Sequence, residues 1–181
     1  MKNNSFIKDA LVLFVITLVL GILLSLVKTL TDIPIRYGEE KAKREAFSQV
    51  CAEYDSGEEV IDRINNINFS KTTINSALIA KNSNGDSIGY IIQITTKGYG
   101  GDIDMIIGFD NDKKVTGIAF PTSLSETPGL GMRVTEEPFK SSFNGKGESD
   151  LASVDTLTGA TISSSAVKSA IIDATSVVNK M

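Results

Sequence analysis

Histidine and tryptophan are absent from this 181-residue chain, and cysteine occurs once, as Cys51. Without histidine, the usual proton shuttle at neutral pH and the commonest metal ligand are both missing. One cysteine can neither close an intrachain disulfide nor build a thiolate metal site. It reads as a small buried apolar residue, and no metal site is expected. Basic residues number 18 against 22 acidic ones, a formal net charge of -4 with no basic patch. Nucleic acid is therefore not an expected partner. Any redox chemistry has to come from a cofactor held by other residue types.

What is present begins with an apolar run. No residue from Ala10 to Val27 is charged. That run corresponds to roughly 27 Å of helix, and with Thr29 and Leu30 beyond a snorkelling Lys28 it reaches about the hydrocarbon thickness. The rival reading is a cleaved signal peptide, but Lys28-Thr29-Leu30 lacks the small-residue cleavage pattern. An anchor over 10–30 is expected. Lys2 and Lys8 before the run are balanced by Lys28 and Arg36 after it, so charge does not orient the anchor. Thr17, Gly21 and Ser25 form a small-residue stripe that could admit a neighbouring helix, or reflects chance.

The remainder is large enough for one domain with its own core. Ile35 to Cys51 has amphipathic helical spacing, with Ala42, Ala46, Phe47 and Val50 on one face. Residues 31–60 are expected to be a linker carrying that helix, and 61–181 the domain. Ile61–Phe69 has no clear period. Ser76–Lys81 and Ser87–Thr96 alternate as strands around Asn82-Ser83-Asn84-Gly85-Asp86, a hairpin turn. Asp104–Phe109 and Val115–Phe120 do the same around Asp110–Lys114, a solvated turn lacking the Gly and distal Glu of a calcium loop. A last helix carries an apolar stripe of Val167, Ala170, Ile171, Ala174, Val177 and Val178, with Ser163, Ser164 or Ser165 as its cap. The expected class is α+β, a mostly antiparallel sheet with packed helices behind one membrane helix.

Three segments stand outside this pattern. Gly98-Tyr99-Gly100-Gly101 and the loop from Thr122 to Gly131 are dense in glycine, which permits close approach to a flat ligand, although either alone is also a plain loop. Asp155-Thr156-Leu157-Thr158-Gly159-Ala160-Thr161 places hydroxyls and a glycine beside a helix start. That suits a phosphate, and on composition alone it equally suits a capped helix. It is not a P-loop, since the lysine and the glycine spacing are missing.

The last segment resembles the flavinylation motif Asp-x-x-(Ser/Thr)-Gly-Ala-Thr. That motif belongs to the FMN-binding domain shared by the G subunit of the Rnf complexes and the C subunit of the sodium-pumping NADH:quinone reductases. Glu126-Thr127-Pro128-Gly129-Leu130-Gly131 resembles the family's second signature, and Gly98–Gly101 its third. Their order behind one anchor also matches, and the short chain favours the Rnf member of the family. The resemblance implies FMN bound covalently through a phosphoester to Thr161, installed by an FAD-dependent flavin transferase. Thr158, Gly159, Ala160, the six residues of the second signature, Tyr99 and Gly100 are its implied cofactor-binding residues. Asp155 is implied to serve the transferase.

No catalytic side chain is implied, because an electron carrier needs none. The implied protein is the redox subunit of an ion-translocating ferredoxin:NAD oxidoreductase, not catalytic alone, with the other Rnf subunits as partners. Residues 1–9 would be cytoplasmic and the domain would lie on the outer face of a bacterial cell membrane. One departure stands out: many relatives carry His where this chain has Leu124. The competing reading is a membrane-anchored regulatory or sensory flavin module outside any ion pump.

Overall fold

In this computed structural model, residues 3–61 and 69–181 are described. Lys2 and the aperiodic stretch at 62–68 lie outside them, as do the side chains of residues 3–6 and 32–37, Arg36 included. The chain divides into two compact units, 1–41 and 42–181.

The first unit is helical. It carries most of helix α1, Asn3–Val50. Within α1, Ile7–Thr31 is 25 residues long with a mean hydropathy of 3.1, enough by length and composition to cross a membrane. At 1.5 Å per residue it is about 37 Å long, and every side chain along it is exposed. Thr17, Thr29 and Thr31 donate their hydroxyls to carbonyls three or four residues back. This is how a hydroxyl is satisfied where no water is at hand.

The second unit is built on a five-stranded antiparallel meander: β1 (Ser56–Glu59), β2 (Thr72–Lys81), β3 (Ser87–Lys97), β4 (Asp102–Phe109) and β5 (Val115–Ala119). The two anticipated hairpins are present. In the first, Asn82 Oδ1 accepts from the backbone N–H of Asn84 and Asp86, and Gly85 takes φ 85°. In the second, Asp110 Oδ1 accepts from Lys114 N–H. Alternation places Ile92, Ile94, Ile103, Met105 and Ile107 on one face, and Ile91 and Ile106 on the other.

The first face packs against helix α4, Thr161–Lys180, whose stripe Val167, Ala170, Ile171, Ala174, Val177 and Val178 is fully buried. Phe139 of α2 (Glu137–Lys140), Phe143, and Leu151 of α3 (Glu148–Leu151) complete that core. Thr72 Oγ1 donates to Asp173 Oδ2 at 2.6 Å, fixing α4 to β2.

The opposite face is covered by the last turns of α1, through Ala46, Phe47 and Val50. Residues 42–60 thus pack with the second unit. The amphipathic face at 42–50 buries against the sheet, and β1 adds a strand to β2. The start of α4 differs from the sequence expectation. The helix begins at Thr161 with Ala160 as its N-cap and no side-chain cap. Ser163 and Ser164 lie inside the first turn, where their hydroxyls serve other partners.

Candidate functional site

The three unusual segments meet at one end of the sheet. Gly98–Gly101 turns β3 into β4, closed by Gly98 N–H donating to Gly101 O at 2.8 Å. A Cβ on Gly100 would collide with the carbonyl oxygen of Ser125, so this turn and the loop after β5 touch backbone to backbone. That second loop is folded on itself: Thr127 O accepts from Leu130 N–H and Met132 N–H. Gly129 holds φ 73°, a left-handed angle that suits glycine. Leu124 packs against the main core.

The motif segment 155–160 is held from several sides. Lys168 Nζ donates to Ala152 O and Val154 O, both at 2.7 Å, just before Asp155. Leu157 N–H donates to Ser164 Oγ at 3.0 Å, and Ser164 Oγ donates to Ala160 O at 2.8 Å. Arg133 Nη1 donates to Thr158 O at 3.3 Å. Gly159 takes φ 82°, and the chain then enters α4 at Thr161, whose side chain is exposed.

One carboxylate connects the first two segments to the first turn of α4, which follows the third. Glu126 is 5% exposed. Its Oε1 accepts from Gly100 N–H at 3.1 Å, and its Oε2 accepts from Ser163 Oγ at 2.7 Å. Ser163 is itself buried.

Beside this junction lies a cavity of about 540 Å³, lined by Tyr99, Glu126, Thr127, Leu130, Gly131, Gly159, Ala160, Thr161, Ile162 and Ser163. That volume falls within the roughly 300–1,000 Å³ of ligand pockets. Tyr99, Leu130 and Ile162 are the only large apolar side chains exposed among the described residues of the second unit. An exposed apolar patch that borders a cavity signals a ligand or partner.

Of the residues singled out in the sequence, Tyr99, Glu126, Thr127, Leu130, Gly131, Gly159, Ala160 and Thr161 line the cavity. Gly100, Pro128, Gly129 and Thr158 belong to the same loops, are exposed and do not line it, and Asp155 is exposed on the turn that precedes α4. Ile162 and Ser163 join the lining, and Ser164, Arg133 and Lys168 support it. Sequence reasoning reads Ser163 and Ser164 only as caps and does not single out Ile162, Arg133 or Lys168. No group of His, Cys, Asp and Glu able to hold a metal occurs among the described residues. Burial pushes the Cys51 thiol up, away from nucleophilic use.

Residues 98–176 match the sequence model of the FMN-binding domain family. The match opens on Gly98 and includes all three segments. Among curated proteins, the chain is 30% identical over 122 residues to the G subunit of the proton-translocating ferredoxin:NAD(+) oxidoreductase complex of Clostridium ljungdahlii, covering 62% of this chain and 63% of that one. It is 28% identical over 181 residues to the G subunit of the ion-translocating oxidoreductase complex of Methanosarcina acetivorans, covering 93% and 92%. The chain therefore spans somewhat under two thirds of the clostridial relative and nearly all of the methanogen's. Among solved structures, the C subunit of the Na(+)-translocating NADH-quinone reductase from Parabacteroides distasonis superimposes with a TM-score of 0.54 at 17% identity, covering 81% of this chain and 94% of that one. That likeness establishes the α+β fold.

Proposed function

We propose that this chain, whose residues 98–176 match the FMN-binding domain family, is the electron-carrying subunit of a membrane-bound ion-translocating ferredoxin:NAD oxidoreductase of the Rnf type. We place its FMN in the cavity described above, tethered by a phosphoester to Thr161. The observation that carries this reading is the position of Thr161. It ends the segment that resembles a flavinylation motif, it is the first residue of α4, and it lines the same cavity as residues of the other two glycine-rich loops.

The residues fit the group. Helix α4 is 20 residues long and begins without a side-chain cap, so its first N–H groups and positive dipole end are available to a phosphate. Tyr99, Leu130 and Ile162 offer apolar surface to a flat ring. FMN, once attached, supplies the redox chemistry, and the protein's part is to hold and tune it. Attachment would make the Thr161 hydroxyl oxygen the acceptor: with a flavin transferase as the catalyst it would displace AMP from the FMN phosphorus of FAD and give up its proton. Asp155 is exposed on the turn before α4, and its role in this reading is to be met by that enzyme.

The membrane assignment rests on Ile7–Thr31. By analogy with the family, the N-terminus faces the cytoplasm and the domain the outside. Protease applied to intact cells stripped of their wall should then remove the domain, and protection until lysis would reverse the orientation.

The test of the functional reading is purification of the tagged chain from its own membrane. Other subunits of an oxidoreductase complex should come with it, and its band on a denaturing gel should fluoresce under ultraviolet light. A fluorescent band that arrives without partners would favour the stand-alone flavin module. A dark band would remove the covalent flavin.

A further inference from the structure

We infer that Glu126 is a positioning residue of the flavin site, holding the walls of the cavity at a fixed separation and not contacting the flavin through its carboxylate. This rests on the reading that the cavity takes FMN. Both carboxylate oxygens are already engaged by the protein, one by Gly100 N–H at 3.1 Å and the other by Ser163 Oγ at 2.7 Å. The donors come from elements 26 residues before and 37 residues after Glu126 in the chain.

Two glycines make room for the group. A Cβ on Gly98 would collide with Glu126 Oε1, and a Cβ on Gly131 would collide with Oε2. The carboxylate is thus enclosed by glycine backbone on both sides and is 5% exposed. Such a group acts on a ligand by fixing its neighbours. Here these are Tyr99 on the first loop, Leu130 on the second, and Thr161 and Ile162 at the head of α4. Removing the carboxylate would leave the buried Ser163 hydroxyl and the Gly100 N–H without their acceptor, and the three walls would be free to shift.

The side-chain chemistry gives the inference a specific signature. Glutamine in place of Glu126 can still accept from Gly100 N–H through its carbonyl oxygen. Its amide can donate to Ser163 Oγ, once the serine hydroxyl turns its proton away. A positioning role is therefore kept by Gln and lost with Ala. A direct electrostatic effect of the carboxylate on the ring would be lost with both.

The experiment uses the full-length chain in detergent, produced with a flavin transferase. Wild type, Glu126→Gln, Glu126→Ala and Ser163→Ala are compared by intact mass, flavin absorption spectrum and midpoint potential. Glu126→Ala is expected to carry covalent FMN with a shifted spectrum and potential. Glu126→Gln should return both close to wild type, and Ser163→Ala should shift them in the direction of Glu126→Ala by less. Should Glu126→Ala not fold, Ser163→Ala and Glu126→Gln carry the same contrast. A Gln variant shifted as far as the Ala variant, or a Ser163→Ala variant identical to wild type, would overturn the positioning role while leaving the flavin assignment intact. A wild-type chain free of FMN would overturn the cavity reading itself.

Discussion

The backbone N–H of Leu157 donates to Ser164 Oγ at 3.0 Å, so the turn at 155–160 is held by the helix that follows it. Ser164 is fully buried, and its own proton goes to Ala160 O. Ser164→Ala leaves the Leu157 N–H without its acceptor. A loss of about 1–3 kcal/mol in unfolding free energy is expected, measured by urea denaturation of the full-length chain in detergent. An unchanged midpoint would mean that the turn holds itself without the helix.

Asp155 behaves differently because it is exposed. Asp155→Ala should leave the melting temperature within a degree or two of wild type, since such surface changes are usually within about 0.5 kcal/mol. It should slow flavin incorporation when the transferase is limiting. Full occupancy reached at the wild-type rate would contradict a role for Asp155 in modification.

The two glycines of the second signature are expected to fail for different reasons. Gly129 has open space around its Cβ position but holds φ 73°. Alanine there should cost about 1–3 kcal/mol of backbone strain. Gly131 lies against Glu126, with Glu126 Cβ at 3.0 Å and Ser163 Oγ at 3.1 Å from where its Cβ would be. Gly131→Leu should shift the flavin spectrum and potential while the covalent bond persists. A redox titration that matches wild type for Gly131→Leu would place this loop away from the ring.

Cys51 is the one thiol of the chain, and its surroundings hold it in the protonated form. Burial raises its pKa, the negative charge of Glu53 adds to the rise, and a backbone hydrogen bond at Glu53 opposes it. The thiolate is the reactive form. Alkylation of Cys51 by iodoacetamide should therefore be slower than that of a free thiol at neutral pH. It should also keep rising at a pH where the free thiol has levelled off. Reaction as fast as a model thiol would show that Cys51 is open to solvent.

Much of this fold is legible in the sequence because its signals are local. Four strands announce themselves by alternation and by the Asn-Gly and Asp-rich turns, and all six stripe positions of α4 are buried. β2 starts at Thr72, four residues before its alternation becomes readable, because a register shift between Ile74 and Ser76 interrupts the pattern. β1 has no apolar face at all, Ser-Gly-Glu-Glu being exposed throughout, and only its pairing with β2 makes it a strand.

The site divides the same way. Its three loops stand out by glycine and by motif. What joins them does not: the reach of Glu126 to Gly100 and Ser163, of Arg133 to Thr158 and of Lys168 to Val154 just before the turn span 14 to 37 residues. No periodicity records contacts of that kind. The serines of α4 read as caps in the sequence because Ser, Thr and Asn favour such positions. In the fold the first turn is left uncapped and Ser163 turns inward to Glu126.

Thr161 is the proposed point of attachment, and the intact mass of the protein made with a flavin transferase tests it most directly. Wild type should be heavier than the bare chain by one FMN moiety. Thr161→Ala should have the mass of the bare chain with an unchanged circular dichroism spectrum, because the side chain is exposed at the first position of α4. An FMN-sized increase that persists in Thr161→Ala would contradict the assignment, and its loss in Thr158→Ala would move the attachment to that neighbouring hydroxyl.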